Sequence, residues 1–202
     1  MTARIDTRIE FRGTQGDGPA MVYVLPHRAE EFLKLGFSRD PLQRMQNLHA
    51  RYYEFFDIER ALLIETPRVR EARTIETRLK RMLRDHRAPM PLDIRREAGG
   101  ETEWYRRAYE PLLAAGESYE SEGYVIYLGA TGWVKNRLRQ NSQLLYEWTS
   151  HQFRALHMCT SQQDREHIER TLKNALDAYR HFSIDVDDAV PPDVADWYRS
   201  HA

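Results

Sequence analysis

Residues 20–37 read Ala20-Met-Val-Tyr-Val-Leu-Pro-His-Arg-Ala-Glu-Glu-Phe-Leu-Lys-Leu-Gly-Phe37. Two short apolar runs flank a polar stretch, His27 to Glu31, and that pattern predicts a β-hairpin. Working outward, Ser38-Arg-Asp-Pro41 supplies a helix start, with Ser or Asp as the cap and Pro inside the first turn. Leu42, Met45 and Leu48 give that helix an apolar face, and Phe55 to Ile64 reads as a third strand. Pro67 precedes a charged helix over about 69–86, with Ile75, Leu79, Met82 and Leu83 at helical spacing. A loop rich in proline and glycine, Ala88 to Gly100, then leads to Glu103-Trp104-Tyr105.

The chain has 202 residues, enough for one ordinary domain or two small ones. Apolar residues make up 41% of it and charged residues 30%. No window approaches the ~18 consecutive apolar residues of a spanning helix, so no membrane partner is expected. The start, MTARIDTRIEFRGTQG, holds only isolated Ile5, Ile9 and Phe11 and lacks the apolar region of a signal peptide. Cys159 is the single cysteine, which excludes an intrachain disulfide and any multi-cysteine metal site. The expectation is a soluble, cytoplasmic globular protein. Net charge is −1, but residues 1–110 hold 21 Lys+Arg against 18 Asp+Glu, and residues 111–202 hold 9 against 13. Residues 68–87 alone carry eight basic and three acidic side chains. Arginine dominates that stretch, and its planar fork suits phosphate, although a solvated helix face is the plainer reading.

Aligned on itself at an offset of 93, the chain matches at 15 of 92 pairs without a gap (18–109 on 111–202). Leu35-Gly36 falls on Leu128-Gly129, Arg44 on Arg137, Tyr53-Glu54 on Tyr146-Glu147 and Ile75-Glu76 on Ile168-Glu169. Trp104-Tyr105-Arg106 falls on Trp197-Tyr198-Arg199. This predicts a tandem duplication, with residues 1–109 as unit one and 110–202 as unit two. In unit two, Gly123 to Gly129 reads as a strand, and Ala-Thr-Gly132 turns into a helix carrying Lys135, Arg137 and Arg139. Phe153 to Met158 reads as its third strand, and Ser161 starts a helix running to about residue 180. The expected fold class is therefore α/β (α+β), as two tandem units that are each a small three-stranded antiparallel sheet flanked by helices. The two units would be able to pair across a pseudo-twofold, as a homodimer does.

Tyr23 lies on the first strand, Lys34 near the end of the second, Arg44 in the next helix and Glu76 in the long helix. Glu76 reads plainly as an i,i+4 salt-bridge partner of Lys80. A tyrosine, a lysine, an arginine and one carboxylate are also the minimal set for phosphodiester hydrolysis. A carboxylate can hold a hard divalent cation that keeps several waters. The cation stabilises the leaving oxygen, arginine neutralises charge on phosphorus, and a tyrosine near a cation can act as base towards water.

At these residues the chain resembles the GIY-YIG nuclease superfamily. Met21-Val22-Tyr23 corresponds to its first signature strand and Lys34-Leu35-Gly36 to its second. Arg44, eight residues beyond Gly36, matches the family's arginine in the helix after the second strand, and Glu76 in Thr74-Ile-Glu-Thr-Arg-Leu-Lys80 matches its metal-binding glutamate. The ending Gly100-Glu-Thr-Glu-Trp-Tyr105 resembles the phage-derived branch, in which a tryptophan closes the domain. In unit two, Tyr127-Leu-Gly129-Ala-Thr131 is the closer match to the second strand, and Arg137 and Glu169 follow at the same distances. Two departures stand out. Lys34 replaces a usual second tyrosine, and Gly116 falls where unit two needs the counterpart of Tyr23, in a first strand placed at Pro111–Glu117.

The resemblance implies a metal-dependent endonuclease that hydrolyses DNA phosphodiester bonds, with Mg²⁺ (or Mn²⁺) on Glu76 and, in unit two, on Glu169. Tyr23 would activate water, Lys34 assist and Arg44 contact the phosphate, with Tyr127 and Arg137 as their counterparts in unit two. Unit one is the better catalytic copy, and the arginines of 68–87 would contact the DNA backbone rather than the bases. The rival reading is a catalytically degenerate nucleic-acid-binding or protein-interaction module, for which the acidic segment Asp185–Asp196 would be the contact. No histidine pair has metal-ligand spacing, and Trp104 and Trp197 read as plugs before they read as base-stacking platforms.

Overall fold

In the computed structural model, which describes residues 18–94 and 96–201, β1 (Ala20–Pro26) and β2 (Phe32–Ser38) form the expected hairpin. Tyr23 pairs with Gly36 and Leu25 with Lys34 across its antiparallel ladder. Every residue of β1 is buried, because β3 (Leu62–Thr66) pairs along its other edge and both of its faces are covered. A strand buried on two faces reads as a continuous apolar run rather than an alternating one, which is how Ala20–Leu25 reads. Met21, Tyr23 and Leu25 face one core, while Ala20, Val22 and Val24 face the other.

β4 (Trp104–Arg106) adds to the free edge of β2, and β5 (Val125–Leu128) to the free edge of β3. The result is one five-stranded antiparallel sheet in the order β4-β2-β1-β3-β5. Helix α1 (Pro41–Leu48) starts as expected: the Asp40 carboxylate accepts from the Gln43 N–H, Pro41 occupies the first turn, and Leu42, Met45 and Leu48 are buried. The four-residue α2 (Tyr52–Phe55) follows, so Phe55 sits in a helix and the third strand starts later than the run Phe55–Ile64 indicated. Helix α3 (Val69–Met82) packs Val69, Ala72, Ile75 and Leu79 onto the Val22/Val24 face, and a 3-10 turn at Arg84–His86 extends it.

The second half departs from a repeat. Helix α4 (Tyr109–Ser121) contains Pro111–Glu117, which the duplication placed as a strand. After β5 come four helices, α5 (Thr131–Gln140), α6 (Ser142–Met158), α7 (Gln162–His181) and α8 (Pro192–His201). The expected strand Phe153–Met158 is the last part of α6, and Trp197 lies in α8 whereas Trp104 lies in a strand. Among the described residues, β5–α5, the part of α6 aligned with α2, and α7 keep the element type of their aligned partners β2–α1, α2 and α3, while β1, β3 and β4 align with helices. The two small three-stranded sheets are thus replaced by one sheet to which the second half gives a single strand. The reason is the core. Phe153, Leu156, Leu172, Leu176, Tyr179 and Val194 belong to the same cluster as Tyr23, Met45, Phe56 and Leu63, so α6, α7 and α8 cover the α1 side of that sheet. The reading of the first seventeen residues, with Ile5, Ile9 and Phe11, lies outside the described residues.

Candidate active site

The β1–β2 register sets Tyr23 against Gly36, where a side chain of any size would meet the tyrosine ring and hydroxyl. Tyr23 is therefore seated on a glycine, and it points to the face from which α1 presents Arg44. The Arg44 Nε donates to the Tyr23 hydroxyl at 3.4 Å, a long contact. Its two terminal nitrogens donate to the carbonyls of Ala98 at 2.5 Å and Gly99 at 3.2 Å. On β2, Lys34 is wholly buried and lies 5.1 Å from the centroid of the Trp104 ring. Its ammonium donates to the Gly100 carbonyl at 3.0 Å and to the Glu103 carboxylate at 3.1 Å. Three consecutive main-chain carbonyls, 98 to 100, thus satisfy two cations. The loop can turn them inward because Gly99 and Gly100 take φ of 67° and 76°, a left-handed conformation that suits glycine.

Glu76 arrives from α3. Its carboxylate lies 2.8 Å from Lys80, one turn on, and Lys80 also reaches Glu103 at 3.0 Å. The chain of contacts Glu76–Lys80–Glu103–Lys34 links α3, the lead into β4, and β2. Tyr23, Lys34, Arg44 and Glu76 come from four elements and meet in one cluster. The plain reading of Glu76 also holds, since it does pair with Lys80, but it is 7% exposed and sits at the cluster rather than on an outer face. Glu103 is the member that the residue pattern missed. It lay in a loop-to-strand segment with no periodicity to give it a direction, and only its place beside Trp104 marked it.

Burial and charge set the protonation states. Burial pushes the Tyr23 hydroxyl up to about 12, against the opposing pull of Arg44. Burial pushes the Lys34 ammonium down to about 8, against the upward pull of Glu103. The Glu76 carboxyl is raised by burial, which outweighs Lys80. Burial works the same way on Glu103, but Lys34 and Lys80 outweigh it and hold the carboxyl below its usual value. Lys80, bridging two carboxylates, is raised despite its own burial.

The unit-two residues are not brought together. The Tyr127 hydroxyl donates to Glu65 at 3.2 Å. Arg137 pairs with Asp40, the cap of α1, at 3.1 Å, and so ties α5 to α1. Glu169, on α7, lines a shallow hollow with Glu166, Arg170, Lys173, Trp197 and His201. The three residues stand at separate places, and the structure does not gather them into a second cluster. His49 stacks on Phe55, His27 accepts from the Ala29 and Glu30 N–H groups, and neither joins the cluster. Trp104 is fully buried, the plug that its position indicated, and Trp197 stacks on His201. Cys159 is the C-terminal cap residue of α6. Among the described residues, no group of three or more His, Cys, Asp or Glu is arranged to hold a metal, and no helix is long and apolar enough to cross a membrane.

No curated protein and no solved structure matches the chain. Residues 20–118 match the family model of the T5orf172 domain, a span from β1 to within α4 that ends before β5. This match corrects the resemblance to the GIY-YIG nuclease superfamily and its phage-derived branch, because the T5orf172 domain is a different family. The signature stretches were short, and the doubled spacing that lent them weight does not correspond to a doubled structure. Over residues 20–118 the chain is similar to the T5orf172 domain, a similarity consistent with a nuclease or nucleic-acid-binding role.

Proposed function

We propose that the protein is a metal-dependent endonuclease acting on DNA phosphodiester bonds through the Tyr23–Lys34–Arg44–Glu76 cluster. The observation that carries this reading is the convergence of these side chains, with Glu103 and Lys80, at one place on the sheet. A cation site fits the donor set. The ammonium of Lys80 lies between the carboxylates of Glu76 and Glu103, and two carboxylates plus waters suit Mg²⁺ or Mn²⁺. When bound, such an ion would stabilise charge on the leaving oxygen. Glu76 and Glu103 would hold it, with Lys80 displaced towards solvent.

The chain's own residues supply the rest. Arg44 and Lys34 aim donors at carbonyl oxygens, the kind of acceptor that a phosphate oxygen replaces with stronger, charge-assisted bonds. Tyr23 orients and exchanges a proton with the attacking water, and Arg44 beside it is the group that lowers the cost of ionising its hydroxyl. Residues 98–100 cover these donors, so substrate entry displaces that loop.

A second reading, a nucleic-acid-binding module without turnover, is favoured by one specific observation. Tyr23 is buried, with its hydroxyl pushed up to about 12, far from the neutral range in which a base works well. The experiment that separates the two incubates supercoiled plasmid with the protein and Mg²⁺ or Mn²⁺, beside EDTA, Glu76→Ala and Glu169→Ala. Nicking abolished by EDTA and by Glu76→Ala, but kept in Glu169→Ala, supports the nuclease. Retention of plasmid and of branched and single-stranded DNA with no cleavage leaves the binding module.

A further inference from the structure

The cluster opens on one side into a pocket that none of these roles uses. Its volume is about 470 Å³, and it is lined by Glu76, Thr77, Lys80, Arg81, Arg84 and Arg87, at the C-terminal end of α3 and the 3-10 turn beyond it. The basic residues of this helix are not alike. Arg73 lies over the Phe37 ring and Arg78 over the Tyr119 ring, while Lys80 is neutralised between Glu76 and Glu103. Arg81, Arg84 and Arg87 are exposed, and among the described residues their side chains make no hydrogen bond or ion pair. Cations near a helix C-terminus offset the dipole there, but the dipole amounts to roughly half a charge, which three guanidiniums exceed.

A second observation points to a ligand. Tyr105 is fully buried, and its hydroxyl has no hydrogen-bond partner among the described residues. Its strand is joined to the pocket through an isolated antiparallel bridge between Tyr105 and Arg87, one of the residues that line the pocket. Three exposed guanidiniums without a partner among the described residues, gathered in one pocket beside that strand, fit an acceptor-rich anion.

Charge selects among phosphates. An internal phosphodiester carries one negative charge. A terminal phosphomonoester carries about −1.5 to −2 at neutral pH and offers three free oxygens. Once Lys80 is balanced, three cations remain in the pocket, the better match to the monoester. We propose that this pocket binds the terminal phosphate of a nucleic-acid strand and holds that end beside Glu76. The inference rests on the nucleic-acid reading above, but not on turnover.

The test measures binding in EDTA, where no cleavage is needed, by fluorescence anisotropy of one oligonucleotide bearing a 5′-phosphate, a 3′-phosphate or neither. The expected result is binding at least about tenfold tighter for one phosphorylated form, reduced to parity in Arg84→Ala and in Arg81→Ala/Arg87→Ala. Which end is preferred identifies the strand polarity. These side chains are exposed, so unchanged melting temperatures keep a loss of binding from being a loss of folding. Arg84→Lys restores part of the preference if charge is the cause. Equal affinity for all three oligonucleotides overturns the proposal, and so does a uniform weakening of all three in the variants, which marks an internal-backbone contact instead. A protein that shows the preference but cleaves neither plasmid nor branched or single-stranded DNA with ends supports the pocket and sinks the nuclease. Nicking without any preference does the reverse.

Discussion

Gly99 and Gly100 take nearly the same left-handed conformation, φ of 67° and 76°, but face different surroundings. A Cβ added at Gly99 meets nothing within 4 Å. One added at Gly100 lies 2.5 Å from both the Lys34 ammonium and a Glu103 carboxylate oxygen, and 3.1 Å from an Arg44 nitrogen. Gly99→Ala therefore tests the left-handed conformation alone. Its penalty is about 1–2 kcal/mol, partly offset by the lower entropy of the unfolded chain, for a net loss near 1 kcal/mol. Gly100→Ala adds the displacement of a buried, doubly tied ammonium, worth about 1–3 kcal/mol more. For a chain of this size that difference corresponds to roughly 2–12 °C in melting temperature. Urea and thermal unfolding of the two variants beside the wild type measure it. If Gly100→Ala melts within 1 °C of Gly99→Ala, residues 98–100 do not close on the two cations, and the covered-site argument fails.

Three further outcomes follow from the same geometry. Lys34 titrates at about 8 in the folded protein against 10.5 for the free side chain, so from pH 8 upward the unfolded state binds more protons and stability rises. The gain is up to about 3 kcal/mol and is confined to pH 8 to 10, since Tyr23, held near 12, works in the opposite sense above 10. Urea midpoints at pH 7.5 and 9.5 should rise in the wild type and stay flat in Lys34→Met, and an equal rise in both would remove Lys34 as the cause. Gly36→Ala drives a methyl group into Tyr23 and should lower stability by about 1–3 kcal/mol while abolishing nicking, with native stability and full nicking as the refuting pair. Trp104→Ala empties a fully buried site under Lys34 and should cost about 3–5 kcal/mol in chemical denaturation, and a loss below 1 kcal/mol would show that the plug is dispensable.

Local signals fixed most of the first half. The hairpin of β1 and β2, the Asp40–Pro41 helix start and the apolar face of α3 each depend on residues a few positions apart; the first two formed as read, and α3 buries Ile75 and Leu79 but ends at an exposed Met82. So did the Ser161 start of α7, where the serine hydroxyl accepts from the Asp164 N–H. Glu76 and Arg44 were legible for the same reason, since one chain segment sets the face on which each stands.

The second half was decided by contacts that no local pattern encodes. Pro111–Glu117 and Phe153–Met158 align with strands but fold as helices, because the sheet already has its three inner strands and what remains exposed is a face to cover. Val125–Leu128 kept its strand character, yet its partner is β3 of the first half and not a hairpin of its own. The meeting of Lys34 with Glu103 spans 69 residues of chain, and the closure of Arg44 by Ala98 spans 54. The sequence by itself determined which short elements form and which reactive side chains they carry. The tertiary structure decided that one sheet, rather than two, gathers a single cluster, because strand pairing and burial join residues by what fits in space, independently of their distance along the chain.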